Sequence, residues 1–578
     1  TEFIFSLTCN DIVSSISLST NGPPIPGIFS IYPASGIEIE TKFTFSATQW
    51  SDTDLPITYM FGFSSPNGVL IVRGRSELSF GESVLPSGLE SHSFMVICNI
   101  VVYDSLSASS HANATTIVHK ASITELQSSI QLQIDSLSTN PDAIKQILST
   151  STAVLNQVNC SGTICDLLNR EQCSKISFTC GACLSGYLGE FGNKNNLCIP
   201  YNESFPDISK SCDQNCSGHG VCTFVNSNNG LVINNCNEGD SNCKAICECD
   251  INYEGIICSY DISDLENRHI IRNSLISSLI DLTTNEDDNA DNVLIWTSSL
   301  NALMQNTDEI SHTSAQSAQD IALAVLNGAD SSDISYTDID TILYICDSST
   351  TATLTNINRR RRLARNDMNA TDNGNATDNG NATDNGNATD NGNAIDESIY
   401  RTIQLVSKYS DIVSKQLYPG QKSVVNILES FRISTSVGGG NISTPLTEIE
   451  KNSGIIASSV FVPGSDDNTK ITSIMTKSKT FGSIGNNFNS NSMRLQISDT
   501  SSNNIIYIIL QNNEPVLFDS IPSTHIIEHY CAIDDISITT IICPDSGFTF
   551  DFECHGWINY MNATCPSMTF KIKCKSRI

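Results

Sequence analysis

Residues 50–63 read "WSDTDLPITYMFGF". From Ile57 the large side chains fall on every second position, at Ile57, Tyr59, Phe61 and Phe63, the period of a strand with one buried face. Working outward, Phe43 and Phe45 keep that period upstream, and Phe94, Val96, Cys98, Ile100 and Val102 keep it downstream. The clusters "NGPP" (21–24), "SSPNG" (64–68) and "LPSG" (85–88) separate the runs, because Gly, Pro and Asn supply the backbone angles that reverse a chain. Residues 1–120 therefore read as a β-sandwich, with Cys9 and Cys98 the natural pair to tie its first strand to a late one.

The same block, followed by "VLPSG" (84–88) and "ICNIVVYDS" (97–105), resembles the receptor-for-egg-jelly region of polycystin-type surface proteins, where a Trp, an acidic pair, an "LPITY"-like strand and a closing Val-x-Asp recur. The resemblance implies an Ig/PKD-like sandwich in the extracellular part of a cell-surface protein. Asp52 and Asp54 could help hold calcium, but carboxylates capping a turn are the simpler reading, so no metal site is assigned.

Bulk properties agree with an extracellular setting. The chain has 578 residues, more than one core can organise, and a formal charge of -31 that repels nucleic acid and anionic membrane surfaces. Its 22 cysteines are even in number and densely clustered, the pattern of a disulfide framework formed in an oxidising compartment. Ten Asn-x-Ser/Thr sequons point the same way: Asn113, Asn159, Asn202, Asn215, Asn369, Asn375, Asn381, Asn387, Asn441 and Asn562. No apolar run of eighteen residues is present, so the chain reads as a mature secreted protein or a piece of an ectodomain.

Residues 121–158 change to a helical period, with Ile130, Ile134 and Leu137 on one stripe. Asn140-Pro141 then serves as cap and first turn of a second helix carrying Ile144, Ile147, Leu148, Val154 and Leu155. This segment reads as a helical connector. Two cysteine-rich modules follow. The first, 159–200, holds Cys160, Cys165, Cys173, Cys180, Cys183 and Cys198. Its Cys180-x-x-Cys183 is read as structural, since neither four reduced thiolates nor a thioredoxin-like setting accompanies it. The second, 201–260, contains "CDQNCSGHGVC" (212–222) and "CECDINYEGIIC" (247–258), which resemble an EGF-like domain. The resemblance implies the pairs Cys212–Cys222, Cys216–Cys247 and Cys249–Cys258, with Cys236–Cys243 closing an inserted loop, and no calcium site.

Residues 261–430 read as helical. Ser263 and Glu266 suggest a capping box, Ile271, Leu275, Leu279 and Leu282 a stripe, and Ala315, Ala318, Ile321 and Val325 a second face ending at Asn327-Gly328. Ile403, Val406, Ile412, Val413, Val425, Ile427 and Leu428 suggest a further helical pair. Between them, 359–398 opens on Arg359–Arg362 and runs into four copies of "NATDNG". In a secreted chain the arginines fit furin-like processing after Arg362 and after Arg365, with a plain exposed basic loop as the alternative. The hexads hold no apolar residue larger than Ala and read as a disordered, glycan-bearing insertion within one helical domain. The two chains that cleavage would leave are expected to stay together non-covalently or through a disulfide from Cys346 to the C-terminal cluster Cys531, Cys543, Cys554, Cys565 and Cys574.

Residues 431–578 carry strand-like runs such as "GIIASSVFV" (454–462) and "SMRLQIS" (492–498), and read as a disulfide-bonded β-sandwich. Helices followed by such a sandwich resemble the GAIN arrangement of adhesion receptors and polycystins. The tripeptide that self-cleavage requires, His-Leu/Met followed by Thr or Ser, is missing from "CHGWINYMNATCPSMTFKIKC" (554–574), so no autoproteolysis is expected. One catalytic pattern occurs, His525-x-x-Glu528-His529, as in inverted zinc peptidases. Its β-branched flanks favour a strand, on which Glu528 would face away from both histidines.

The fold expected is therefore multidomain and mainly β with helical segments: an Ig/PKD-like sandwich, disulfide-rich EGF-like modules, a helical region and a C-terminal β-sandwich. The function expected is a non-enzymatic structural or adhesive extracellular glycoprotein, such as a subunit of a surface fibre or flagellar hair. The alternative is the ectodomain of a polycystin-type or adhesion-type receptor. Partners are other extracellular proteins, copies of the chain itself, or glycans; no cofactor beyond N-linked glycans is assigned, and calcium is left open.

Overall fold

The computed structural model describes residues 2–9, 12–65, 68–121, 130, 140–160, 162–371, 386–438, 440–462, 468–480, 490–498, 506–511, 526–543 and 549–564. The chain divides into two compact units, Thr1–Asn513 and Glu514–Ile578. The boundary after Asn513 falls within 431–578, the segment expected as a single β-sandwich, so its sheets before and after that point belong to different units.

In the first unit, strands β1 (Glu2–Cys9) and β2 (Ile12–Ser19) form a hairpin of their own. The sandwich follows, with β3 (Ile28–Tyr32), β4 (Ser35–Ile37), β5 (Phe43–Thr48), β6 (Thr58–Ser65), β7 (Gly68–Ser76), β8 (Phe80–Ser83), β9 (Met95–Tyr103) and β10 (Ser109–His119). A three-stranded sheet β3-β5-β8 faces a five-stranded sheet β4-β10-β9-β6-β7. The inward positions are the alternating ones: Phe43, Phe45, Phe61, Phe63, Val96, Cys98, Ile100 and Val102 are buried in one core with Trp50 and Leu85. Phe29 stacks on Phe45 and Phe61 at centroid separations of 6.4 and 6.1 Å, and Phe45 and Phe61 meet at a tilt at 5.8 Å. Each such buried ring or branched side chain contributes about 1.5–3 kcal/mol of transfer free energy.

Cys9 and Cys98 are not joined; both are free thiols. The period of two that carries Cys98 into the core also removes it from reach, and Cys9 lies on the exposed hairpin, outside both sheets of the sandwich.

Helix α1 (Pro141–Leu155) is capped by the Asn140 side chain, which accepts from Asp142 N, with Pro141 in its first turn. It is no free connector. Its Ser149 hydroxyl donates to Ile71 O of β7 at 2.6 Å, and Gln146 Nε2 donates to Glu82 O of β8 at 2.9 Å. Ile144, Leu148, Val154 and Leu155 meanwhile enter the core of the helices that follow. One face of α1 thus serves the sandwich and another the bundle.

The bundle contains α2 (Ile262–Asn285), α3 (Ala290–Leu303), α4 (His312–Ser331), α5 (Ile342–Thr371) and α6 (Gly386–Gln416). The cap of α2 is Asp261, whose Oδ1 accepts from Ser263 N at 2.9 Å, not the expected Ser263. Ala315, Ala318, Ile321 and Val325 are buried on α4 as their spacing requires. That helix continues past Asn327-Gly328 to Ser331, because Gly328 is needed for close packing: a Cβ there would meet Val293 Cγ2 at 2.6 Å. Helix α5 runs through Arg359–Arg365, so the arginine cluster lies on a helix and not in a flexible loop. Arg, Leu and Ala are good helix formers and extend a helix already nucleated at Ile342. Among the sequons of the insertion, Asn369 is on α5 and Asn387 on α6, while Asn375 and Asn381 lie outside the described residues. Cys346 is free and buried in the bundle core, which keeps it from any bridge to the C-terminal cysteines.

Val425 and Ile427 belong to a strand, Val424–Ile427, where a second helix had been expected; Pro419-Gly420 ends the helical run and the β-branched residues favour extended backbone. That strand joins Phe431–Val437, Lys470–Thr476 and Ser492–Ile497 in a four-stranded sheet, and Asn441–Ser443, Ser459–Phe461 and Tyr507–Ile509 form a three-stranded one. In the second unit, Ile526–Cys531 pairs with Asn559–Thr564, and Ile538–Ile542 with Thr549–Glu553.

Candidate functional sites

The loop after Trp50 brings three carboxylates together. Oxygens of Asp52, Asp54 and Asp104 all lie within 4.8 Å of one another. Asp104 is the Asp of the Val-x-Asp that closes β9, and its approach to Asp52 is a contact between residues far apart in sequence. Both oxygens of the buried Asp104 are engaged: Oδ1 accepts from Leu106 N at 2.8 Å and Ala108 N at 2.9 Å, and Oδ2 from Asn21 Nδ2. Asp52 Oδ1 accepts from Asp54 N at 2.8 Å. These bonds close turns. A calcium site takes six to eight oxygens, and three carboxylates, two of them already accepting hydrogen bonds in these turns, supply a minority of them.

All six cysteines of the first module are disulfide-bonded, as Cys160–Cys173, Cys165–Cys180 and Cys183–Cys198, so the two sulfurs of the Cys-x-x-Cys belong to different bridges. In the second module the bridges are Cys212–Cys222, Cys216–Cys247, Cys236–Cys243 and Cys249–Cys258. The sulfurs of Cys212, Cys216 and Cys247 are close enough to suggest a metal cluster, but oxidation leaves no thiolate to ligate one. In the C-terminal unit Cys531 is bonded to Cys554 and Cys543 is also disulfide-bonded, while Cys565 and Cys574 lie outside the described residues.

Of the peptidase-like trio, His525 falls outside the described residues. Glu528 and His529 are on the strand Ile526–Cys531, where neighbours point to opposite faces. His529 Nε2 lies 3.5 Å from Cys554 Sγ and its ring stacks on Phe552, a strand residue packed on its neighbours.

The sequon asparagines Asn113, Asn159, Asn202, Asn215, Asn441 and Asn562 are all exposed. No candidate membrane span occurs among the helices of the described residues. A buried polar hub, which the sequence gives no sign of, joins the parts. Glu309 Oε2 accepts from Arg272 Nε at 2.7 Å, and its Oε1 from Arg268 Nη1 at 3.0 Å and the Tyr260 hydroxyl at 3.2 Å. Two guanidinium groups hold the Glu309 carboxyl below its usual range despite the burial that opposes this.

No curated protein and no solved structure matches the chain. A family model does: the REJ domain matches residues 7–154. The matched segment covers the sandwich and ends within α1, the helix whose Ser149 bonds to β7. That match and the eight disulfides among the described residues support a polycystin-like extracellular protein.

Proposed function

We propose that the chain is part of the ectodomain of a polycystin-type or adhesion-type membrane receptor, acting as a non-enzymatic binding and spacing element. The observation that carries this reading is the REJ match over residues 7–154, on a sandwich docked to a helical bundle through α1. Two further resemblances support it: the second cysteine module has the bridge pattern of an EGF-like domain, and a helical bundle followed by two β-sheets has the order of a GAIN region. The domain match favours this reading over a surface-fibre or flagellar-hair subunit. Exposed sequons suit a glycosylated surface, and partners of the receptor would be other extracellular proteins or glycans.

Reading the full-length transcript tests the proposal. A membrane-spanning segment encoded in frame beyond residue 578 supports a receptor. A stop codon directly after it, with the purified chain assembling into filaments, would restore the fibre subunit.

A further inference from the structure

A cavity of about 140 Å³, with room for several waters or one small ion, opens between the second cysteine module and the four-stranded sheet of the first unit. Ser241 and Lys244 line it from the module; Glu429, Arg432, Thr444, Glu450 and Lys477 line it from the other side. Its charges do not cancel in pairs. Glu429 is shared by Lys244 and Lys479, both ammonium groups donating to the same Oε1. Glu450 is taken by Arg432 through Nη2 at 2.5 Å, while Arg432 Nη1 donates to Pro445 O at 3.0 Å.

That leaves donors without acceptors. Arg432 Nε is buried and has no hydrogen-bond partner among the described residues, and the same holds for Ser241 Oγ and Thr444 Oγ1. Lys477 is 9% exposed and feels Glu429 and Glu450, but no ion pair within 4.0 Å joins its ammonium group to a described carboxylate, and both of those carboxylates already accept from other cations. Burial and the cations Lys244 and Arg432 outweigh the two carboxylates and lower its pKa. Lys479, behind the wall, is pushed down to about 7 by burial and by its neighbours Lys244 and Lys477, another sign that cations outnumber the carboxylates facing them. The chain as a whole carries a charge of -31, so this spot reverses the prevailing sign, and screening over about 8 Å at physiological ionic strength lets the local charges dominate.

We propose that this cavity is a binding site for one small oxyanion that only accepts hydrogen bonds, a carboxylate or a sulfate-type group, held by Lys477, Arg432 Nε and the hydroxyls of Ser241 and Thr444. An acceptor-only ligand is favoured because the unused groups can all donate, while the wall carboxylates are engaged: Glu429 and Glu450 accept from lysine and arginine, Glu190 pairs with Lys210 at 3.3 Å, and Asp240 Oδ1 accepts from Asn242 N at 2.9 Å. An occupant would bridge Ser241 of the module to Lys477 beside the sheet, adding to the bonds that Asn228 O already accepts from Lys479 N at 2.7 Å and Ser478 Oγ at 2.9 Å.

Calorimetric titration of the full chain with sodium sulfate and with sodium acetate, each against sodium chloride at matched ionic strength, tests this. The heat of binding is the readout, since sulfate also raises melting temperatures by exclusion from protein surfaces. Saturable binding of one equivalent is expected. Tighter sulfate binding would mark the site as one for a tetrahedral dianion, tighter acetate binding as one for a carboxylate. Lys477→Met should weaken binding at least tenfold, Lys477→Arg should retain it, and Thr444→Val should cost a few-fold with circular dichroism unchanged. Absence of saturable binding of both anions, or unchanged affinity in Lys477→Met, would overturn the site.

Discussion

Arg272 Nε stands 2.7 Å from Glu309 Oε2, and neither side chain is exposed. Arg272 also donates to Leu303 O at 2.8 Å and to Asn156 Oδ1 at 2.7 Å, so one guanidinium ties the end of α1, the end of α3 and the turn before α4. Glu309 binds Tyr260, in the two-residue strand that leads into α2. Removing one partner strands the other charge in the interior. Glu309→Ala should therefore cost about 3–5 kcal/mol, read as a lowered unfolding midpoint in denaturant. The double change Arg272→Met with Glu309→Leu should cost clearly less than either single alanine change, because no buried charge is left behind.

Helix α1 makes a second test of how the sandwich is held. Leu148 is buried in the bundle core while its neighbour Ser149 bonds to β7. Leu148→Ala should destabilise by about 2–5 kcal/mol and leave the disulfides intact, measured by thermal unfolding and by mass of non-reduced peptides. An unchanged midpoint would show that α1 does not link the two parts.

The joint between the second cysteine module and the bundle should respond to pH through Asp308. Its Oδ2 accepts from Ile256 N at 2.9 Å, yet burial, with Glu309 and Glu254 nearby, raises its carboxyl from the usual value to about 6. A carboxyl with a raised folded-state pKa binds its proton more tightly when folded. Its favourable contribution is present at low pH, declines as pH rises from about 4 to about 6, and is gone above that. Asp308→Asn keeps an acceptor for Ile256 N and removes the charge. The variant should match the wild type in melting temperature near pH 4.5 and exceed it near pH 7.5; an equal difference at both values would contradict this.

The free thiols differ in access. Burial raises the Cys98 thiol to about 12, and burial with Asp347 alongside raises that of Cys346. Cys9 is exposed. Iodoacetamide on the native chain should label Cys9 and spare Cys98 and Cys346, which should react only after unfolding without reductant. A disulfide-linked peptide joining Cys9 to Cys98 would contradict the placement of the hairpin outside the sandwich.

The arginine cluster and the sequons can be read on gels. Arg359–Arg365 lies on α5, so a furin-type protease, which takes an extended segment, would first have to unwind it. If cleavage occurs after Arg362 or Arg365, a reducing gel shows two chains; one intact chain would refute processing. Removal of N-glycans should shift peptides containing the exposed Asn113, Asn159, Asn202, Asn215, Asn441 and Asn562.

What the sequence revealed was local. Alternation placed Phe43, Phe61 and Val102 on buried faces because a strand's period is two, and Asn140-Pro141 marked the start of α1 because both residues suit a helix entry. Contacts set by the tertiary arrangement stayed hidden. The alternation that makes Cys98 a core residue says nothing of whether it finds a partner, and nothing near Asp52 signals Asp104. Asp261 rather than Ser263 caps α2 because a cap depends on where the preceding strand Tyr260–Asp261 delivers the chain. The helix through Arg359–Arg365 was obscured by the repeat that follows, whose composition argues for disorder while the arginines themselves favour helix. The two guanidinium groups on Glu309 come from α2 and could be assigned to it only once the bundle had formed.

The central claim is that this chain belongs to the extracellular face of a membrane receptor. Its most direct test is alkaline carbonate extraction of native cell envelopes, followed by detection with an antibody raised against the sandwich of residues 28–119. The account predicts that the antigen stays in the membrane pellet, is released only by detergent, and is accessible to the antibody on intact cells. Quantitative release by carbonate or high salt as a soluble or filamentous species would contradict it.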